Sequence, residues 1–100
     1  MKYTVEWTFL SKDSYLEEIE FIYFKWNILE VQKFEKLVIN ELSRLSLNPT
    51  IGKLRSDKNY CLVISKQTSL FYKIDKQSSS VQLLLFWNNL KNPEDLTKFL

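Results

Sequence analysis

Leu70-Phe71-Tyr72-Lys73-Ile74 alternates its side chains with a period of two, and past the polar stretch Asp75 to Ser80 comes Val81-Gln82-Leu83-Leu84-Leu85-Phe86-Trp87, almost wholly apolar. The first run has the pattern of a strand with two unlike faces. The second has the pattern of a central strand covered on both faces. Upstream, Tyr60, Leu62 and Ile64 alternate with Cys61, Val63 and Ser65, and Lys66-Gln67-Thr68-Ser69 reads as a tight turn. Three strands in succession joined by short polar links predict an antiparallel meander. Its apolar surface needs a second layer.

That layer is expected from residues 14–47. Ser14 and Glu17 fit a capping box, with Ser11 as a competing cap. Leu16, Ile19, Ile22, Tyr23 and Trp26 follow at spacings of three and four, predicting a core-facing stripe. Glu17, Glu18 and Glu20 would then sit at the helix start, where the dipole favours acids. Phe21 and Phe24 lie off that stripe. Asn27 breaks the first helix. Val31, Phe34, Val38, Leu42 and Leu45 outline a second, with Leu37 beside them, ended by Ser46-Leu47-Asn48-Pro49. At the front, Tyr3, Val5, Trp7 and Phe9 alternate with polar residues as a strand. At the back, Pro93-Glu94-Asp95-Leu96 reads as a short helix start. The predicted fold class is α+β: β-α-α-β-β-β, a helical hairpin on one face of a mostly antiparallel four-stranded sheet, then a short C-terminal helix.

One domain spanning residues 1–100 is expected from 100 residues, 45% of them hydrophobic. The absence of histidine excludes Ser-His-Asp and Cys-His catalysis and histidine-ligated metal. One cysteine, Cys61, excludes an internal disulfide and a zinc cluster. One glycine, Gly52, excludes a Walker loop or a GxGxxG turn. We therefore expect no cofactor and no metal. A lone cysteine, the lack of a signal layout and the lack of a long apolar run predict a cytoplasmic protein without membrane contact.

Charge is uneven. Residues 1–50 carry six bases against eight acids, and residues 51–100 carry eight bases against four acids. Between Lys53 and Lys76, the bases Lys53, Arg55, Lys58, Lys66, Lys73 and Lys76 face only Asp57 and Asp75. Such a stretch is either an electrostatic footprint for phosphates or an acidic partner, or a sheet edge guarded by lysines.

Three ordered blocks then carry a resemblance: Asn48-Pro49-Thr50-Ile51-Gly52-Lys53, Ile64 through Ile74, and Phe86-Trp87-Asn88-Asn89-Leu90-Lys91-Asn92-Pro93. With the helices before them, they resemble the RelE/ParE superfamily of toxins from bacterial type II toxin–antitoxin modules. The resemblance implies a cognate antitoxin as partner. It also implies a target that is either DNA gyrase, inhibited without cleavage, or the ribosome with its mRNA, which RelE-like members cut. Ribonuclease members use basic side chains on the sheet and often a tyrosine near the C-terminus. Here no tyrosine follows Tyr72, Leu90 stands where the family segment has arginine, Asn88 replaces its first aspartate, and Tyr60 and Cys61 stand where bases often precede the central block. These departures favour a non-cleaving toxin. The alternatives are a ribosome-dependent endoribonuclease, with Arg55, Lys66, Lys73 and Lys91 as catalytic candidates, and an attenuated toxin kept as an antitoxin-binding module. The expected partner- and target-binding residues are Lys53, Arg55, Lys66, Lys73, Tyr72, Asn89 and Lys91. Tyr72 or Phe71, whichever faces outward, could stack on a base.

Overall fold

In a computed structural model, residues 2–55 and 58–100 are described. Asp57, one of the two acids counted against the basic stretch, lies outside them. The elements run β1 (Thr4–Trp7), α1 (Phe9–Lys25), α2 (Ile28–Leu47), a 3-10 turn (Pro49–Ile51), β2 (Lys53–Leu54), β3 (Tyr60–Val63), β4 (Thr68–Asp75), β5 (Ser80–Asn88) and a 3-10 helix (Pro93–Lys98). The α+β class and the helix-on-sheet layering agree with the sequence. The sheet has five strands rather than four, because Lys53–Leu54 adds an edge strand, in the order β1-β5-β4-β3-β2. All pairings are antiparallel except β1 with β5. The expected short C-terminal helix is present as a 3-10 helix.

Beneath the helices lies one core. Val31, Phe34, Val38 and Leu45 of α2 meet Leu70, Tyr72, Val81, Leu83 and Phe86 of the sheet. Trp7, Tyr15, Phe34 and Phe86 form a chain of ring contacts through it, with centroids 5.2 to 6.0 Å apart. Asn27 does separate the helices, and does so as the N-cap of α2, its Oδ1 accepting from Glu30 N–H. The second helix therefore buries the stripe its sequence announces.

The first helix does so only in part: Ile22 is buried and Ile19 packs against the core. It starts at Phe9, not near Ser14, because Thr8 and Ser11 close a reciprocal box: Ser11 N–H donates to Thr8 Oγ1 at 3.1 Å and Thr8 N–H to Ser11 Oγ at 2.9 Å. Strand β1 accordingly stops at Trp7. With that start, the buried face of α1 is Ser11, Ser14, Glu18 and Ile22. Leu16, Tyr23 and Trp26, expected in the core, are exposed. Glu17, Glu18 and Glu20 lie beyond the first turn, which contains no acid.

A physical reason lies in the neighbouring strand. Strand β5 runs past the end of β1, which pairs with it only through Leu83. Side chains of the α1 region complete the hydrogen bonding there. Thr8 Oγ1 donates to the Leu83 carbonyl at 2.7 Å, and Phe86 N–H donates to Ser14 Oγ at 2.9 Å. Buried backbone groups must be paired, so a hydroxyl stripe suits this position better than an apolar one.

The β3–β4 turn spans Ile64 to Gln67, slightly earlier than expected, since Thr68 and Ser69 already belong to β4. Asp75 Oδ1 accepts from Gln77 N–H and Ser78 N–H in the next turn. A hydrogen bond from the Ser78 side chain, together with these backbone bonds, holds the Asp75 carboxyl below its ordinary range. Leu84 is an extra residue in β5, because Phe71 pairs with Leu85 while Tyr72 pairs with Leu83. Leu84 and Leu85 both join Phe71 and Trp87 in a second apolar cluster, on the sheet face away from the helices.

Candidate site on the sheet face opposite the helices

Alternation along β4 divides its side chains. Leu70 and Tyr72 point to the helices, while Ser69, Phe71 and Lys73 point away. Cross-strand pairing extends that outer face. Phe71 lies opposite Cys61, and Cys61 opposite Lys53. Lys73 lies opposite Gln82, and Gln82 opposite Glu6. Arg55 follows β2, and its guanidinium sits 4.7 Å from the Phe71 ring centroid. Its backbone N–H donates to the Asn59 carbonyl at 2.8 Å. Lys58 closes this loop with φ 69°, a left-handed conformation uncommon for a side-chain-bearing residue.

Lys53, Arg55 and Lys73 are thus brought onto one face. Beside Lys73 a cavity of about 330 Å³ is lined in part by Thr8, Asn59, Gln82, Leu84 and Phe99. The face is neither fully open nor purely cationic. Leu96 and Leu100 pack on the Phe71, Leu85 and Trp87 cluster, and Phe99 lies 6.3 Å from the Trp87 ring. Glu6 and Asp75 share the face by register and alternation. Cys61 faces the same way; burial raises its thiol above the ordinary value, against the hydrogen bond of Ser69 and the charge of Arg55. A thiol so shifted is a poor nucleophile.

The remaining candidates lie elsewhere. Tyr72 has no accessible surface. Its hydroxyl donates to the Pro49 carbonyl at 2.7 Å and accepts from Gly52 N–H at 3.0 Å, and burial pushes its pKa up to about 12. Tyr72 therefore cannot stack on a base, and the outward Phe71 is itself buried beneath its neighbours. Gly52 is required there by close approach: a Cβ would stand 2.6 Å from the Tyr72 oxygen and 2.9 Å from the Cys61 carbonyl oxygen. Lys66 lies in the β3–β4 turn, bordering a hollow with Trp26, Glu30 and Phe34 on the helical side. Asn89 is structural: its Oδ1 accepts from Ser69 Oγ, its Nδ2 donates to the Lys66 carbonyl, and its backbone N–H donates to the Gln67 carbonyl. Lys91 reaches Glu17 of α1 at 3.5 Å and lies over Trp87.

Glu18 was not expected to matter. It is 3% exposed and accepts a 2.6 Å hydrogen bond from Thr68 Oγ1. Burial raises its carboxyl above the ordinary value, opposed by hydrogen bonds from Thr68 and Asn88 and by the Lys91 charge. The signal was present in the spacing: Ser11, Ser14 and Glu18 share one helical face once the helix is started at Thr8 rather than Ser14. Among the described residues no group of three or more His, Cys, Asp or Glu could hold a metal ion, and no helix is long and apolar enough to cross a membrane.

No protein-family profile and no curated protein sequence matches the chain. Solved structures do match it. The toxin–antitoxin complex RelBE2 from Mycobacterium tuberculosis contains a chain 21% identical, with a TM-score of 0.57, over 88% of this chain and 99% of that one. A YoeB/ParE toxin from Agrobacterium tumefaciens is 13% identical, with a TM-score of 0.61, over 85% of this chain and 96% of that one. A double arginine-to-alanine mutant of the E. coli toxin RelE, in the free state, is 17% identical, with a TM-score of 0.62, over 99% of this chain and 95% of that one. Helix pair, sheet and meander together give this chain the fold of the RelE, YoeB and ParE toxins.

Proposed function

We propose that this chain is the toxin of a two-protein toxin–antitoxin pair, held inactive by a cognate antitoxin and stopping growth by binding an anionic region of gyrase or of the translation machinery. The observation that carries the target-binding part is the placement of Lys53, Arg55 and Lys73 on one sheet face, with Lys73 at the rim of a cavity. Three cations on one face suit a phosphate backbone or an acidic protein segment. The antitoxin part is supported by fold, since a similar chain was solved in a toxin–antitoxin complex.

The side chains favour binding over cleavage. Transesterification at a ribose 2′-hydroxyl needs groups that take and give protons. The chain has no histidine, and the Tyr72 hydroxyl is locked under the sheet. One observation favours the second reading, a ribosome-dependent endoribonuclease. The guanidinium of Arg55 is held over Phe71, and a preorganised cation stabilises a charged transition state without moving protons. Induced expression separates the readings. Growth arrest with intact messages and blocked supercoiling supports the binding toxin. Codon-linked cuts in translated messages that vanish in Arg55→Ala support the nuclease. Unhindered growth overturns both.

A further inference from the structure

The outward face of α1 carries an unusual surface. Phe9 is 82% exposed, Leu16 57% and Phe24 81%, with Tyr23 exposed beside them. Phe9, Leu16 and Tyr23 stand seven residues apart, so they form one line along the helix, the spacing of a coiled-coil seam. Tyr23 and Phe24 make an edge-to-face pair 5.5 Å apart. Next to Phe24 is a shallow, open depression bounded by Glu17, Glu20, Phe21, Phe24, Lys25 and Leu90. Asp13, Glu17 and Glu20 run along the same flank of the line. The side chains of Asp13 and Glu20 make no ion pair among the described residues.

We propose that this face docks an amphipathic helix of a partner protein, with apolar residues at heptad spacing and lysines or arginines along the edge that meets Asp13 and Glu20, Glu17 being already paired with Lys91. The charge selects this occupant. A second copy of this chain packed antiparallel would bring acidic flank against acidic flank, which is repulsive. An anionic bilayer attracts basic flanks, not acidic ones. A helix, rather than a strand, fits a seam that repeats every seven residues. The proposal stands apart from the toxin reading, since growth arrest and helix capture fail independently.

Two synthetic three-heptad peptides test it, both with leucine at the seam, one with lysine on the flanks and one with glutamate. The full chain is expected to bind the lysine peptide about tenfold tighter than the glutamate peptide, by fluorescence anisotropy at low salt. The double variant Leu16→Ser/Phe24→Ser, shown folded by circular dichroism, should lose that binding. Asp13→Lys/Glu20→Lys should reverse the preference between the peptides. Absence of binding to either peptide, equal binding to both, binding that survives the serine variant, or sedimentation showing self-association that Leu16→Ser abolishes would each overturn it.

Discussion

The two helices of this fold solve opposite problems. Helix α2 lies over the sheet interior, where backbone groups are already paired, and it buries Val31, Phe34, Val38 and Leu45. Helix α1 lies against β5 where β1 has ended, and it buries Ser11, Ser14 and Glu18 while Phe9, Leu16 and Phe24 face outward. The lesson is that a helix beside an incomplete strand edge gives part of its buried face to hydrogen bonds, which leaves Phe9, Leu16 and Phe24 on the outside while Tyr15 and Ile22 still serve the core.

The comparison is tested first by deletion. Phe34→Ala in α2 should destabilise by about 3–5 kcal/mol in urea unfolding, as removal of a buried aromatic does. In α1, Leu16→Ser should stay within about 0.5 kcal/mol of the parent. Equal losses at the two positions would mean that α1 buries its apolar line after all. Next in size is Ser14→Val, which leaves Phe86 N–H without its acceptor and should cost about 1–3 kcal/mol. Thr8→Ala removes a cap and the bond to the Leu83 carbonyl and should cost about 1–2 kcal/mol. Both are read from the same unfolding curves.

The smallest effect is in pH dependence. Glu18 has a carboxyl raised above 4.5, so the native state holds its proton more tightly than the unfolded chain does. Its contribution is present at acid pH and declines as pH rises from 4.5 through the raised value. Asp75 has the opposite sign: its lowered carboxyl contributes above 3.8, and that contribution declines as pH falls through the lowered value. Glu18→Gln should therefore gain stability relative to the parent as pH rises from 4 to 7 (roughly the window for a raised carboxylate). Asp75→Asn should lose relative stability as pH rises across the acid range. A Glu18→Gln difference that does not change with pH would contradict the buried carboxylate.

Most of the layering was legible from hydrophobic periodicity. The strands expected over 60–65, 70–74 and 81–87 and the stripe of α2 follow from alternation and from spacings of three and four, and the strands stand at 60–63, 68–75 and 80–88. What periodicity could not convey was where β1 stops. Moving the helix start from Ser14 to Thr8 turns Phe9 from a strand residue into an exposed first-turn residue and changes which residues are core. The same limit applies at the candidate site. Lys53, Arg55 and Lys73 could be placed on one face only once strand register was known, because a one-residue slip would exchange Lys73 for the buried Tyr72. Lys66, Asn89 and Lys91 lie within the matched blocks, but their contacts tie a turn and a helix to the sheet end.

If the two outer surfaces have separate tasks, the sheet face acts on the target and the α1 face recruits a helix. The most direct measurement is growth after induction of three folded forms: the parent, the Lys53→Ala/Arg55→Ala/Lys73→Ala variant, and Leu16→Ser/Phe24→Ser. The account predicts arrest by the parent, relief by the alanine variant and undiminished arrest by the serine variant. Unhindered growth with the parent, or relief by the serine variant alone, would contradict it.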